Sequence, residues 1–136
     1  LDLRWLSPPI TIVSAWGISA LLFAFVHPAP ALINGLHFLG AGLLLGLAYL
    51  LTGQLGLSIG LHAGFNFGSG YVFSTAQNPS VAVIRLTTEG PAWLTGQTGV
   101  VQTSLLVPAA ISILGYVLWC SGSIGISPAI KAKIEN

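Results

Sequence analysis

Charge is what this sequence has least of. Only 5% of its 136 residues are Asp, Glu, Lys or Arg, against 54% hydrophobic, and the formal net charge is +1. Soluble domains carry about 25% charged residues, so the composition excludes a water-covered globule and fits a chain whose solvent is a bilayer. A basic patch is also missing, which excludes nucleic acid as a partner. Cys120 is the single cysteine. It excludes an internal disulfide, leaves the redox compartment open and reads as a small apolar packer. Methionine is absent and the chain opens on Leu1. A translated frame normally begins with Met, so the chain reads as N-terminally truncated. No basic stretch precedes a short apolar core, so no signal peptide is read, and no internal repeat is found.

What is present is a series of long apolar segments. A crossing takes about 20 residues, in a range of ~17–25. Four segments qualify: about Ile10 to His27, Ala31 to Thr52, Leu55 to Phe73 and Val100 to Trp119. Pro8 and Pro9 sit where a helix start tolerates them, Pro28 and Pro30 close the first segment, and Pro108 predicts a kink in the fourth. The first two links are short, so the first three helices are expected to be antiparallel neighbours. Residues 76–99, with Asn78-Pro79, Gly90-Pro91, Arg85 and Glu89, read as a polar loop or short surface helix. The expected fold is all-α, a polytopic transmembrane bundle of about four helices forming a single domain over residues 1–136. Four crossings put both ends on one side. Arg4, Lys131 and Lys133 lie there, so the positive-inside rule places the termini in the cytoplasm. Trp5, Tyr49, Tyr116 and Trp119 fall near one boundary, and Tyr71 and Trp93 near the other, as interfacial aromatics do.

Ionisable groups within a bilayer are costly and usually functional. The first three segments contain three, all histidines. In the third segment, His62 and Asn66 are four apart and share a helical face. Gly56, Gly60, Gly64 and Gly68 repeat at the same spacing. At about 100° per residue they fall nearly opposite that pair. One face is thus expected to admit a neighbouring backbone, as small-xxx-small faces do. The other presents an imidazole and a carboxamide to the bundle interior, for chemistry or simply for hydrogen bonds between helices. Phe23 and His27 share a face at the end of the first segment, where the phenyl ring can shield and orient the imidazole; an interfacial histidine is the plainer alternative. His37, three residues after Asn34, reads as a hydrogen-bonding packer or interface group, with Gly42 and Gly46 beyond it as a helix-packing pair.

Taken together, Phe23-x-x-x-His27 and His62-x-x-x-Asn66 resemble the second and third motifs of the CAAX protease and bacteriocin-processing family of membrane endopeptidases. The run from Thr52-Gly53-Gln54 through His62 to Phe67 is similar to the family's Thr-Gly turn and His/Asn helix. Gly90-Pro91-Ala92-Trp93-Leu94-Thr95-Gly96 resembles a loop of some bacterial members. The resemblance covers about residues 15–100. The family's first motif, a Glu-Glu pair followed by Arg, has no counterpart here: Asp2, Glu89 and Glu135 do not fit it. That absence agrees with an N-terminal truncation.

The resemblance implies glutamate-dependent intramembrane hydrolysis of peptide bonds, with a peptide or protein substrate at the membrane, the lipid bilayer as surroundings and no cofactor. It also implies a bacterial or archaeal plasma membrane. An upstream Glu outside this chain would be the general base, its pKa raised in a low-dielectric site. His27 would bind and polarise water, while His62 and Asn66 would face the oxyanion. Segment counting leaves His27 and His62 at depths differing by roughly 10 Å, at about 1.5 Å per residue. Tilt or a later start of the third helix would close that gap. The alternatives are a histidine metal site, a non-enzymatic membrane protein such as an immunity factor or scaffold, and a transporter or channel fragment.

Overall fold

A computed structural model describes residues 7–27, 32–74, 83–85, 89–95 and 100–135. The first helix, α1, spans Pro8–Val26. Proline at its first positions costs nothing, because those N–H groups have no helical acceptor. It stops at His27, whose backbone is extended (φ −95°, ψ 121°), since the residue before a proline is pushed out of the helical region. The second helix, α2, spans Leu32–Thr52 and returns along α1.

The contact between α1 and α2 rests on the Gly42/Gly46 pair. A Cβ at Gly42 would lie 3.0 Å from the Ala20 Cα, and one at Gly46 would lie 2.5 Å from Trp16 Cδ1. A methyl group would be tight at Gly42 and would force Trp16 to shift at Gly46. Trp16 crosses the seam and donates its indole N–H to the Leu43 carbonyl at 2.9 Å. Within a bilayer, close packing and such bonds hold helices together, because lipid tails are as apolar as the side chains.

A tight turn leads to α3, Leu55–Phe67. Gly53 adopts φ +70°, a left-handed conformation that favours glycine. The Thr52 hydroxyl donates to the Ala48 carbonyl at 2.7 Å and accepts from the Gln54 N–H at 3.2 Å, which closes the turn. Ser58 then donates to the Leu45 carbonyl at 2.8 Å and fastens the first turn of α3 to α2.

The third segment departs from expectation in two ways. Its α-helix has 13 residues and passes into a π turn over Gly68–Val72. Ser69 Oγ donates to the Phe65 carbonyl at 2.8 Å, competing with the backbone, and the glycines on either side of Ser69 tolerate the widened turn. Among the described residues, three helices are long and apolar enough to cross a membrane, over Pro8–Val26, Asn34–Thr52 and Gln102–Ser121. The expected number is four; the third segment is helical over Leu55–Val72, but its α-helical part is only 13 residues long and is not among these three. The second departure concerns the glycine stripe. A Cβ at Gly56, Gly60, Gly64 or Gly68 would meet nothing within 4 Å. Among the described residues this face receives no backbone, and the chain's own close helix packing uses Gly42 and Gly46 instead.

Much of the expected 76–99 connection, including Asn78-Pro79, lies outside the described residues. Its described parts are a short parallel bridge, β1 (Phe73–Ser74) with β2 (Ile84–Arg85), and a single turn α4, Ala92–Thr95, started by Pro91. Arg4, Trp5, Pro28 and Pro30 also lie outside. The last crossing is divided into α5, Val100–Ser104, and α6, Leu106–Ser121. Pro108 lacks the N–H that Ser104 would accept, so the ladder breaks just before it. Leu105 pairs with the Gln102 carbonyl instead, at 3.2 Å. A final short helix, α7 (Pro128–Glu135), is tied to the bundle by Ser127 N–H to the Leu50 carbonyl at 2.9 Å and by Lys133 Nζ to the Tyr49 hydroxyl at 3.4 Å.

Ala48 of α2 and Ile113 and Val117 of α6 form the small buried core, with Leu44, Leu51, Leu57 and Leu61 around it. Large apolar side chains lie outside it in numbers, among them Phe25 at 87% exposure and Trp119 at 83%. Such a surface would drive association in water; around apolar helices of this length it is the lipid-facing surface. The architecture is an all-α membrane bundle.

Candidate active site

The histidines converge. A cavity of about 420 Å³ lies between α1, α2, α3 and the α5–α6 crossing, and its lining includes Phe23, His27, His37, Phe38, His62 and Asn66. The His27 and His62 ring centroids are 6.3 Å apart, so the depth difference expected from counting does not separate them. Part of the reason is local. His27 Nδ1 lies 2.6 Å from the Phe23 carbonyl, which draws the imidazole back over the last turn of α1.

That bond also sets the ring's proton. A carbonyl only accepts, so neutral His27 carries hydrogen on Nδ1 and leaves the Nε2 lone pair free to accept. The ring is held between two phenyl groups, Phe23 at 4.3 Å and Phe38 at 4.7 Å between centroids. Phe23 also meets His62 edge-on at 5.4 Å. The shielding expected of Phe23 is present, and Phe38 supplies the second wall. Phe38 had a readable signal: with a short link between α1 and α2, the start of α2 must lie beside the end of α1.

His62 and Asn66 stand one turn apart on α3 and both line the cavity, as their spacing predicts. Among the described residues neither side chain makes a hydrogen bond within the protein. His37 is the residue whose place was missed. It is 3% exposed, and its Nδ1 lies 3.1 Å from Thr103 Oγ1 of α5. It is the hydrogen-bonded packer that its position suggested, and it lines the same cavity. Its membership depends on the return of α5 and α6, which no local motif encodes.

Chemically, the cavity is an apolar chamber with a few polar atoms turned to one space. Polar groups without partners in an apolar medium cost free energy, so the arrangement favours a ligand that can hydrogen-bond to imidazole and carboxamide. The volume falls within the range of about 300–1,000 Å³ typical of small-ligand sites. The lining has no Asp or Glu among the described residues. Among the described residues, no group of three His, Cys, Asp or Glu side chains is placed to share a metal ion.

A family model described as Rce1-like, type II CAAX prenyl endopeptidase, matches residues 3–68. Over this stretch the chain is similar to that family. No curated protein and no solved structure matches it. The CAAX-protease-like stretch carries Phe23, His27, His37, Phe38, His62 and Asn66, and it ends one residue past α3. The remaining wall of the cavity, Leu105, Leu106 and Ala109, comes from beyond it. With three helices among the described residues apolar and long enough to span, the chain is a membrane protein whose first half is similar to the type II CAAX prenyl endopeptidases.

Proposed function

We propose that this chain contributes the water- and oxyanion-binding half of an intramembrane endopeptidase site acting on membrane-associated peptides. The observation that supports this most is the meeting of His27 and His62 across 6.3 Å in one cavity with Asn66 beside them. His27 offers an acceptor at Nε2, suited to a water proton. His62 and Asn66 offer donors without fixed charge, suited to an oxygen that becomes anionic as water adds to the peptide carbon. Attack by water, with its proton passed to a base, gives a tetrahedral intermediate; collapse expels the amine, which takes a proton.

The base is a glutamate in this reading. The resemblance assigns it to the family's first motif, which the 136 residues do not contain, and among the described residues the cavity lining offers no carboxylate in its place. In the complete protein, His62→Ala and Asn66→Ala are each expected to lower kcat by about 100-fold or more, the usual loss for one oxyanion donor. His27→Ala is expected to abolish cleavage of a prenylated CAAX peptide, with unchanged expression and melting temperature. Full activity in the His62→Ala protein would refute the assignment.

A further inference from the structure

His37 is the polar group of the cavity that this mechanism leaves unused. We propose that His37 is a substrate-binding residue, holding a peptide group of the substrate through Nε2; this rests on the endopeptidase reading. Three observations carry it. The side chain is buried, with 3% of its surface accessible in all, and it is among the residues that line the cavity shared by His27, His62 and Asn66. Its Nδ1 is engaged by Thr103 Oγ1 at 3.1 Å, which fixes the ring plane and leaves Nε2 as the atom available to a ligand. Among the described residues Nε2 has no partner in the protein, and a buried polar atom without one is costly.

The surroundings specify the ligand chemistry. His37 packs edge-on against Phe38 at 5.5 Å and faces Phe65 at 6.3 Å, and Phe38 in turn stacks on His27. The polar atom therefore sits in an aromatic and aliphatic wall, behind the ring that cradles the proposed water. A peptide unit with apolar side chains fits such a wall. It brings both an N–H and a C=O, so it finds a partner on Nε2 in either tautomer of the ring. Bonded there, an extended peptide is held at a second point away from the reacting carbon. This fixes which of its bonds faces His62 and Asn66.

The test uses the complete protein in lipid nanodiscs with a fluorescent farnesylated CAAX peptide, measuring binding by anisotropy, cleavage by product formation and the ring nitrogens by ¹⁵N-histidine NMR. Peptide addition is expected to move the His37 Nε2 resonance. His37→Phe, which keeps an aromatic ring without the polar atom, is expected to weaken binding and raise KM by about tenfold, the loss of one buried hydrogen bond. His37→Gln, which retains a donor and an acceptor, is expected to stay within about threefold of the parent. Melting temperatures are expected to match. Wild-type binding by His37→Phe, or equal loss in both variants with a lowered melting temperature, overturns the proposal and assigns His37 to packing alone. Peptide binding that depends on His37 in a protein that never cleaves removes the endopeptidase reading and upholds this one. Cleavage that is intact and indifferent to His37→Phe does the reverse.

Discussion

The same substitution, glycine to alanine, is expected to have opposite effects on two neighbouring helices. At Gly46 the new methyl group would stand 2.5 Å from Trp16 Cδ1 and 2.7 Å from its Nε1. The indole is a rigid ring whose N–H is bound to the Leu43 carbonyl, so it yields only by leaving that bond and levering α1 off α2. Overpacking of this kind costs about 1–3 kcal/mol, and an interhelical hydrogen bond in a membrane adds about 0.6 kcal/mol. The gain in helix propensity from Gly to Ala offsets up to about 1 kcal/mol. The net expectation for Gly46→Ala is a loss of about 1–3 kcal/mol. At Gly60 the methyl would meet nothing within 4 Å, and only the propensity gain of about 0.5–1 kcal/mol remains. The assay is reversible unfolding in mixed micelles, followed by helical circular dichroism, with both variants beside the parent chain. A Gly46→Ala protein as stable as the parent would refute the close α1–α2 seam. A destabilised Gly60→Ala protein would refute the open face of α3.

Three further outcomes follow from the same geometry. Phe38→Ala removes one of the two rings enclosing His27; a pair of this kind is worth about 0.5–1.5 kcal/mol beyond its area, and cleavage in the complete protein is expected to fall about tenfold at little cost to the fold. Gly53→Ala places a side chain at φ +70° and 2.6 Å from Ser127 Oγ; a drop of about 1–3 kcal/mol in unfolding free energy is expected, whereas Gly56→Ala, in open space, is expected to show none. Trp16→Phe keeps an aromatic ring in the seam but loses the bond to Leu43, and unfolding is expected to show a smaller loss, about 0.6 kcal/mol.

What the sequence makes legible is what local chemistry controls. Prolines 8 and 9 mark the start of α1, and the short links make α1, α2 and α3 sequential neighbours. The four-residue spacing puts His62 with Asn66 and Phe23 with His27, and the structure keeps both pairs. The change from α to π geometry at Gly68 is not legible in the sequence, because Ser69 and its flanking glycines remain apolar enough to read as a continuing α-helix. The role of the glycines was only half legible. Spacing shows that a stripe exists, and whether a neighbour fills it depends on which helix lies there: Trp16 lies on Gly46, and no described residue lies on Gly60. His37 shows the same boundary. Nothing near it in sequence names Thr103, 66 positions away, so its place in the cavity depends on how the last crossing returns.

The claim on which the rest depends is that residues 27 and 62 face one another inside the bundle. Replacing both by cysteine in a Cys120→Ala background, in membranes, and treating with a short bifunctional thiol reagent tests this without reference to activity. A 27–62 cross-link detected by mass spectrometry is the predicted result, with none between 62 and a cysteine at Phe25, which is 87% exposed. Efficient linkage of 25 with 62, and none of 27 with 62, would contradict the account.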